Sequence, residues 1–155
     1  MFRLLVIALP LLILPACSGI KGSGASKTEA REVRKFSGIE AHGAVTLDIT
    51  VGRSPSVQVS GDDNIVPLIT TEVQGERLVV RSTKPYRTKL PLKVTVSMPV
   101  LTLISLSGAT KLTVNGIAGD SLQVKLSGAA KAKLAGTIGK LELTGSGACH
   151  VNATE

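Results

Sequence analysis

Ile104-Ser105-Leu106-Ser107-Gly108-Ala109-Thr110-Lys111-Leu112-Thr113-Val114 is echoed by Val124-Lys125-Leu126-Ser127-Gly128-Ala129-Ala130-Lys131-Ala132-Lys133-Leu134, and again by Leu143-Thr144-Gly145-Ser146-Gly147-Ala148-Cys149-His150-Val151. The Ser-Gly-Ala triplets recur 20 and then 19 residues apart. Within each copy apolar and polar residues alternate, which is the period of a strand with one buried face. Gly-centred bends separate the copies, Asn115-Gly116 with Gly119-Asp120 and Ala135-Gly136 with Gly139-Lys140, and a degenerate fourth copy stands at His42-Gly43-Ala44, followed by Val45 and Leu47. A period of about 20 is too short for a helix-turn-helix repeat and fits one coil of a β-solenoid, each coil adding a strand. The glycine of each triplet, at Gly108, Gly128 and Gly147, makes the bend. The alanine, at Ala109, Ala129 and Ala148, leaves room for the coil above. A meander or sandwich with similar strands is the competing architecture. The expectation is an all-β chain whose C-terminal third is a β-solenoid.

Upstream of the repeat, Val45, Leu47, Ile49 and Val51 alternate with polar residues, as do Val57 with Val59, and Leu92, Val94, Val96 with Met98. These are strands as well. Gly52-Arg53-Ser54-Pro55 and Gln74-Gly75-Glu76 read as turns, and Lys84-Pro85-Tyr86-Arg87-Thr88-Lys89 as an exposed loop. Only Asn64–Thr70 has room for a helical turn, kept short by Pro67.

From about Arg31 to Glu155 the chain resembles the head GIN domain family of putative auto-transporter adhesins. The resemblance is carried by Phe36-Ser37-Gly38-Ile39-Glu40, Ser56-Val57-Gln58-Val59-Ser60-Gly61-Asp62-Asp63-Asn64, Pro67-Leu68-Ile69, Glu72-Val73-Gln74-Gly75-Glu76-Arg77-Leu78-Val79-Val80 and the Leu-Ser-Gly-Ala copies. It implies a fold resembling a right-handed β-helix and an envelope protein with an adhesin-like role. Two departures stand out. Where members usually follow Ser-Gly-Ala with Gly-Asp-Val, this chain has Thr110-Lys111-Leu112, Ala130-Lys131-Ala132 and Cys149-His150-Val151, so acid has become base. By analogy the chain also stops about one coil early, so the expected last coil is uncapped, truncated or completed by a partner.

The N-terminus carries a separate message. Arg3 precedes an apolar run from Leu4 to Leu14, too short for a stop-transfer helix, so residues 1–16 read as a secretion signal. Leu14-Pro15-Ala16-Cys17 resembles a bacterial lipobox, with Pro15 as its departure, and this makes Cys17 the expected lipidation site. Residues 17–30 are Gly/Ser-rich and read as a flexible tether; residues 31–155 are the β domain. Ser18, rather than Asp, follows the cysteine, and by resemblance this favours the outer membrane, facing periplasm or cell surface. With Cys17 acylated, Cys149 has no disulfide partner and reads as a small buried thiol.

The 155 residues hold 18 Lys+Arg against 11 Asp+Glu, a net charge of +7, with one Tyr, two Phe and no Trp. Removing residues 1–16 takes Arg3 and no acid, leaving +6. So few rings argue against base-stacking nucleic-acid modules, and secretion separates the chain from nucleic acid. Lys111, Lys131 and His150 share the outward parity beside inward Leu112, Ala132 and Val151, and Lys133 takes the next outward position. They form the expected anion-binding stripe, for acidic polysaccharide or phosphate-bearing lipid, against the plainer reading of a solvated face. Arg81, Lys84, Arg87, Lys89 and Lys93 make a second basic run around Tyr86, suited to anionic headgroups or simply to solvent. No metal or other cofactor is expected: Cys149 and His150 are adjacent in a strand and point to opposite faces. Ser107, Ser127 and Ser146 read as turn residues rather than nucleophiles, and neither histidine has a triad spaced around it in sequence. The function expected is therefore a non-enzymatic, lipid-anchored envelope module that binds a polymer or protein. The alternatives are a polysaccharide-acting enzyme, drawing on Asp48, Asp62, Asp63 or Asp120, and a self-assembling structural protein.

Overall fold

A computed structural model describes residues 19–154, so the signal segment and Cys17 lie outside the described residues. The chain is all-β, and its main sheet curls around a single aliphatic core until it is nearly closed. Strands β3 (Gly38–His42), β4 (Thr46–Val51), β9 (Lys93–Met98), β10 (Leu103–Gly108), β11 (Lys111–Gly128), β12 (Lys131–Gly147) and β13 (His150–Thr154) form its parallel part. The two long strands bend in their middles. The first half of β11 pairs with β4 and the second half with β10, while β12 follows β11 through both halves and around the bend.

Each triplet thus lies beside its copy: Gly108 is the register partner of Gly128, and Gly128 of Gly147. Lys111, Lys131 and His150 align the same way. The drop in spacing from 20 to 19 has a local cause. Register slips between Val114 and Ile117, where Asn115-Gly116 of one strand faces Ala135 alone in the next, so one residue is absorbed at the bend. Inward positions form apolar columns. Ile39, Ile104 and Val124 are buried in line, as are Val94, Leu47, Leu112 and Ala132 on the opposite wall. In the last described coil the corresponding Leu143 is 51% exposed and Leu141 39%, because no further coil among the described residues lies over them.

The triplet glycines are fixed by two independent constraints. Gly128 has φ +86°, and a Cβ there would sit 2.9 Å from the Gly108 carbonyl oxygen; at Gly147 it would sit 2.5 Å from that of Gly128. Stacking brings backbone against backbone at the bend, and only glycine supplies both the left-handed conformation and the missing atom.

The N-terminal half is built differently. β5 (Ser56–Asp62) pairs antiparallel with β9, and β6 (Ile69–Gln74) antiparallel with β7 (Arg77–Ser82), which itself runs parallel to β3. The expected turns fall between β4 and β5 and between β6 and β7, and the short helical turn is a 3-10 turn at Val66–Leu68. One expectation is corrected. The segment read as a tether through residue 30 is held in place: β1 (Ile20–Lys21) pairs with β8 (Tyr86–Arg87), and β2 (Ser26–Arg31) lies antiparallel along β5. The basic segment around Tyr86 is exposed as expected at Lys84, Arg87 and Lys89, while Tyr86 itself is half-buried and its hydroxyl donates to the Ala44 carbonyl at 2.8 Å.

One side chain ties the N-terminal segment to the residues that follow β8. Asp62 is buried, and its carboxylate accepts the N–H groups of Gly24 at 2.7 Å, Lys89 at 2.9 Å and Leu90 at 3.1 Å. Burial alone pushes the Asp62 carboxyl up. The N–H groups of Leu90, Gly24 and Lys89, with the Lys89 ammonium, outweigh burial and hold it below the ordinary aspartate value. Asn64 adds two bonds to the same segment, accepting from Ser23 N–H and donating to the Lys21 carbonyl, both at 2.9 Å.

Candidate functional site

The outward face of the wall formed by β9, β4, β11, β12 and β13 carries the predicted stripe. Its first row runs Lys93, Thr46, Lys111, Lys131, His150, and its second Thr95, Asp48, Thr113, Lys133, Asn152. Lys111, Lys131, Lys133 and His150 are all exposed. Parity puts them there: each neighbours a residue turned into the core, and side chains alternate along a strand. Lys93 forms an ion pair with Asp48. Among the described residues no carboxylate stands within ion-pair distance of Lys111, Lys131 or Lys133. Neighbours about 5 Å apart repel by roughly 0.8 kcal/mol in water, a strain an anion lying along the column would relieve.

A second constellation sits on the wall formed by β3 and β10, where residues far apart in sequence are paired by the register. His42 is the register partner of Ser107, with its Nδ1 2.6 Å from the Ser107 hydroxyl and its Nε2 2.9 Å from Glu40 Oε1. Glu40 also meets the Arg77 guanidinium at 3.0 Å. Serine, histidine and carboxylate are thus joined in one hydrogen-bonded chain, next to an open groove of about 460 Å³ that Arg81, Lys84 and Tyr86 also line. The signal was present in the repeat: if His42-Gly43-Ala44 is a degenerate copy of Ser107-Gly108-Ala109, stacking must set His42 over Ser107. Acyl transfer also needs donors converging on an oxyanion. The nearby Gly43 N–H is instead donated to the Ser107 carbonyl.

Other predicted residues resolve simply. Cys149 is half-buried and in no disulfide, with its thiol 3.4 Å from the Ser146 carbonyl. Ser107, Ser127 and Ser146 stack in register on the outward face. Asp62 is a structural acceptor and Asp48 an ion-pair partner, so these two candidate acids are spread over different parts of the molecule. Among the described residues no group of three or more metal-ligating side chains converges. No helix among them is long and apolar enough to cross a membrane.

Glycine-stacked parallel strands around an aliphatic core, with exposed polar ladders outside, define a class of all-β folds. The sequence matches the family described as "Putative auto-transporter adhesin, head GIN domain" over residues 35–155, and the chain belongs to that family. Solved structures share the fold. A putative adhesin from Parabacteroides merdae is 22% identical with a TM-score of 0.78, covering 86% of this chain and 58% of its own. One from Parabacteroides distasonis is 22% identical with a TM-score of 0.80, over the same 86% and 58%. A protein of the latter organism described as a putative lipid binding protein is 17% identical, with a TM-score of 0.76 over 88% of this chain and 61% of its own. This chain therefore spans less than two thirds of those proteins. No curated protein sequence matches it. The family and these neighbours are described as adhesins or binding proteins rather than enzymes, and the family points to an exported or surface protein.

Proposed function

We propose that the chain is a lipid-anchored head of the bacterial cell envelope, attached through Cys17, which binds an acidic polymer along the column Lys111, Lys131, Lys133 and His150. In this reading the C-terminal stack is a β-solenoid of about 20-residue coils, and its rigidity sets the spacing of the charges. The observation that carries the proposal is the register that makes Lys111, Lys131 and His150 neighbours. Lys111 and Lys131 at one strand spacing, with Lys133 two residues along and His150 continuing the row, match a polymer bearing an acid on each repeating unit, and each added contact raises avidity without new chemistry. The basic replacement of the family's usual acid at these positions supports a ligand of negative charge. The lipid-binding description of one structural neighbour is in keeping with an anionic ligand, but an acidic polysaccharide suits an extended column better than a single headgroup does.

The test is binding to an immobilised acidic polysaccharide across a salt series. Lys111→Glu combined with Lys131→Glu is expected to weaken retention at least tenfold at low salt, with the difference shrinking as salt screens the contacts. Equal elution of the variant and the unmodified protein would remove the column from any binding role.

A further inference from the structure

A second cationic surface lies where the fold receives its N-terminus. β1 and β8 form a two-stranded sheet apart from the main one, with Ile20 opposite Tyr86 and Lys21 opposite Arg87. Ile20 and Tyr86 turn toward the core, while Lys21 and Arg87 face outward and are exposed. Lys84 and Lys89 are exposed beside them, and the Lys89 ammonium donates to the Ser23 carbonyl at 3.0 Å. Of the acids nearby, Asp62 is buried and saturated by backbone donors, and the exposed Asp63 accepts the Ser23 hydroxyl. Four exposed cations thus share one edge.

The chain is clamped at this edge from its first described residue. Gly19 packs so closely on Pro85 and Tyr86 that a Cβ there would sit 3.0 Å from their backbone atoms. Ile20 N–H donates to the Pro85 carbonyl at 2.9 Å and Gly22 N–H to the Arg87 carbonyl at 2.7 Å. Cys17 stands two positions before Gly19, and two extended residues reach only about 7 Å. From these distances we infer that the β1–β8 edge lies against the membrane, with Lys21, Lys84, Arg87 and Lys89 meeting the anionic headgroups of the leaflet. The inference rests on acylation of Cys17 for its orientation. A lipid at that sulfur holds the edge within about one Debye length of the phosphates, where each cation strengthens attachment roughly fivefold. The Lys111 column belongs to the main sheet rather than to the β1–β8 pair and stays free for its own ligand.

Lysine footprinting by acetylation, read by mass spectrometry on the protein extracted from its membrane, tests this without any substitution. The protein is labelled in detergent, in phosphatidylcholine vesicles, and in vesicles with about a third phosphatidylglycerol. Lys21, Lys84 and Lys89 are expected to label at least fivefold more slowly with phosphatidylglycerol than in detergent, and high salt should relieve part of that protection. Lys111, Lys131 and Lys133 should label alike throughout. Equal labelling of the two groups, or protection of the Lys111 column alone, overturns the inference. The mass of the N-terminal peptide separates the two readings. An acylated peptide with an unprotected edge keeps the anchor and rejects the edge, whereas an unmodified peptide with a protected edge rejects the anchor and keeps the edge. The double variant Lys21→Glu, Arg87→Glu changes only exposed side chains and should abolish protection of Lys84 and Lys89.

Discussion

Gly43 and Gly128 occupy equivalent bends, yet their surroundings differ, and the difference predicts unequal sensitivity. Both have positive φ, but a Cβ at Gly43 would meet nothing within 4 Å, whereas at Gly128 it would press on the Gly108 backbone. Gly43→Ala is therefore expected to cost only backbone strain, about 1 kcal/mol, and Gly128→Ala about 3 kcal/mol, because the coils must also part. Urea midpoints with an unchanged slope would measure both; equal losses would mean that the coils are not in close contact there. The repeat made these glycines legible in sequence, since stacking copies must align them. His42 was legible by the same logic, as the fourth copy, but histidine was read by its neighbours in sequence rather than by its neighbour in the stack.

At the scale of elements, β1 depends on a carboxylate about forty residues away in sequence, and that is why it was invisible beforehand. Ser18–Ser26 has the composition of a linker, and short polar residues serve equally well as linker or as partners for a distant side chain. Nothing in the segment itself names Asp62. The depressed Asp62 pKa gives the dependence a pH signature. A carboxyl held below its unfolded value contributes stability above that value, near pH 4, and loses it as pH falls through its lower folded value. Relative to the unfolded-chain rate at the same pH, the amides of Ile20 and Gly22 are thus expected to exchange faster below about pH 4, before the glycine-stacked coils open. Asp62→Asn should bring that faster exchange to neutral pH; slow exchange in the variant would show that β1 is held by other contacts. The antiparallel direction of β2, β5 and β6 was hidden for a related reason, because alternation shows a buried face but not the direction of the neighbour.

For the whole molecule, the repeat reaches function through geometry. Strands about twenty residues apart become neighbours, their inward residues close an aliphatic core with very few rings, and their outward residues become rows of charge. The order of the parallel strands was within reach of the sequence because three copies align only one way. The clamped N-terminus was not, and it changes how the molecule stands: the head is held close to whatever its first residues are attached to, with one basic edge near that attachment and another basic column elsewhere. The most direct check on this architecture is a disulfide trap in a chain with Cys17 and Cys149 replaced by Ser. Register partners in adjacent strands are within disulfide reach, so Lys111→Cys with Lys131→Cys should oxidise to an intramolecular bridge while the fold is intact. Failure of that pair, with bridging instead between Cys placed at 111 and 133, would contradict the register on which the cationic column depends.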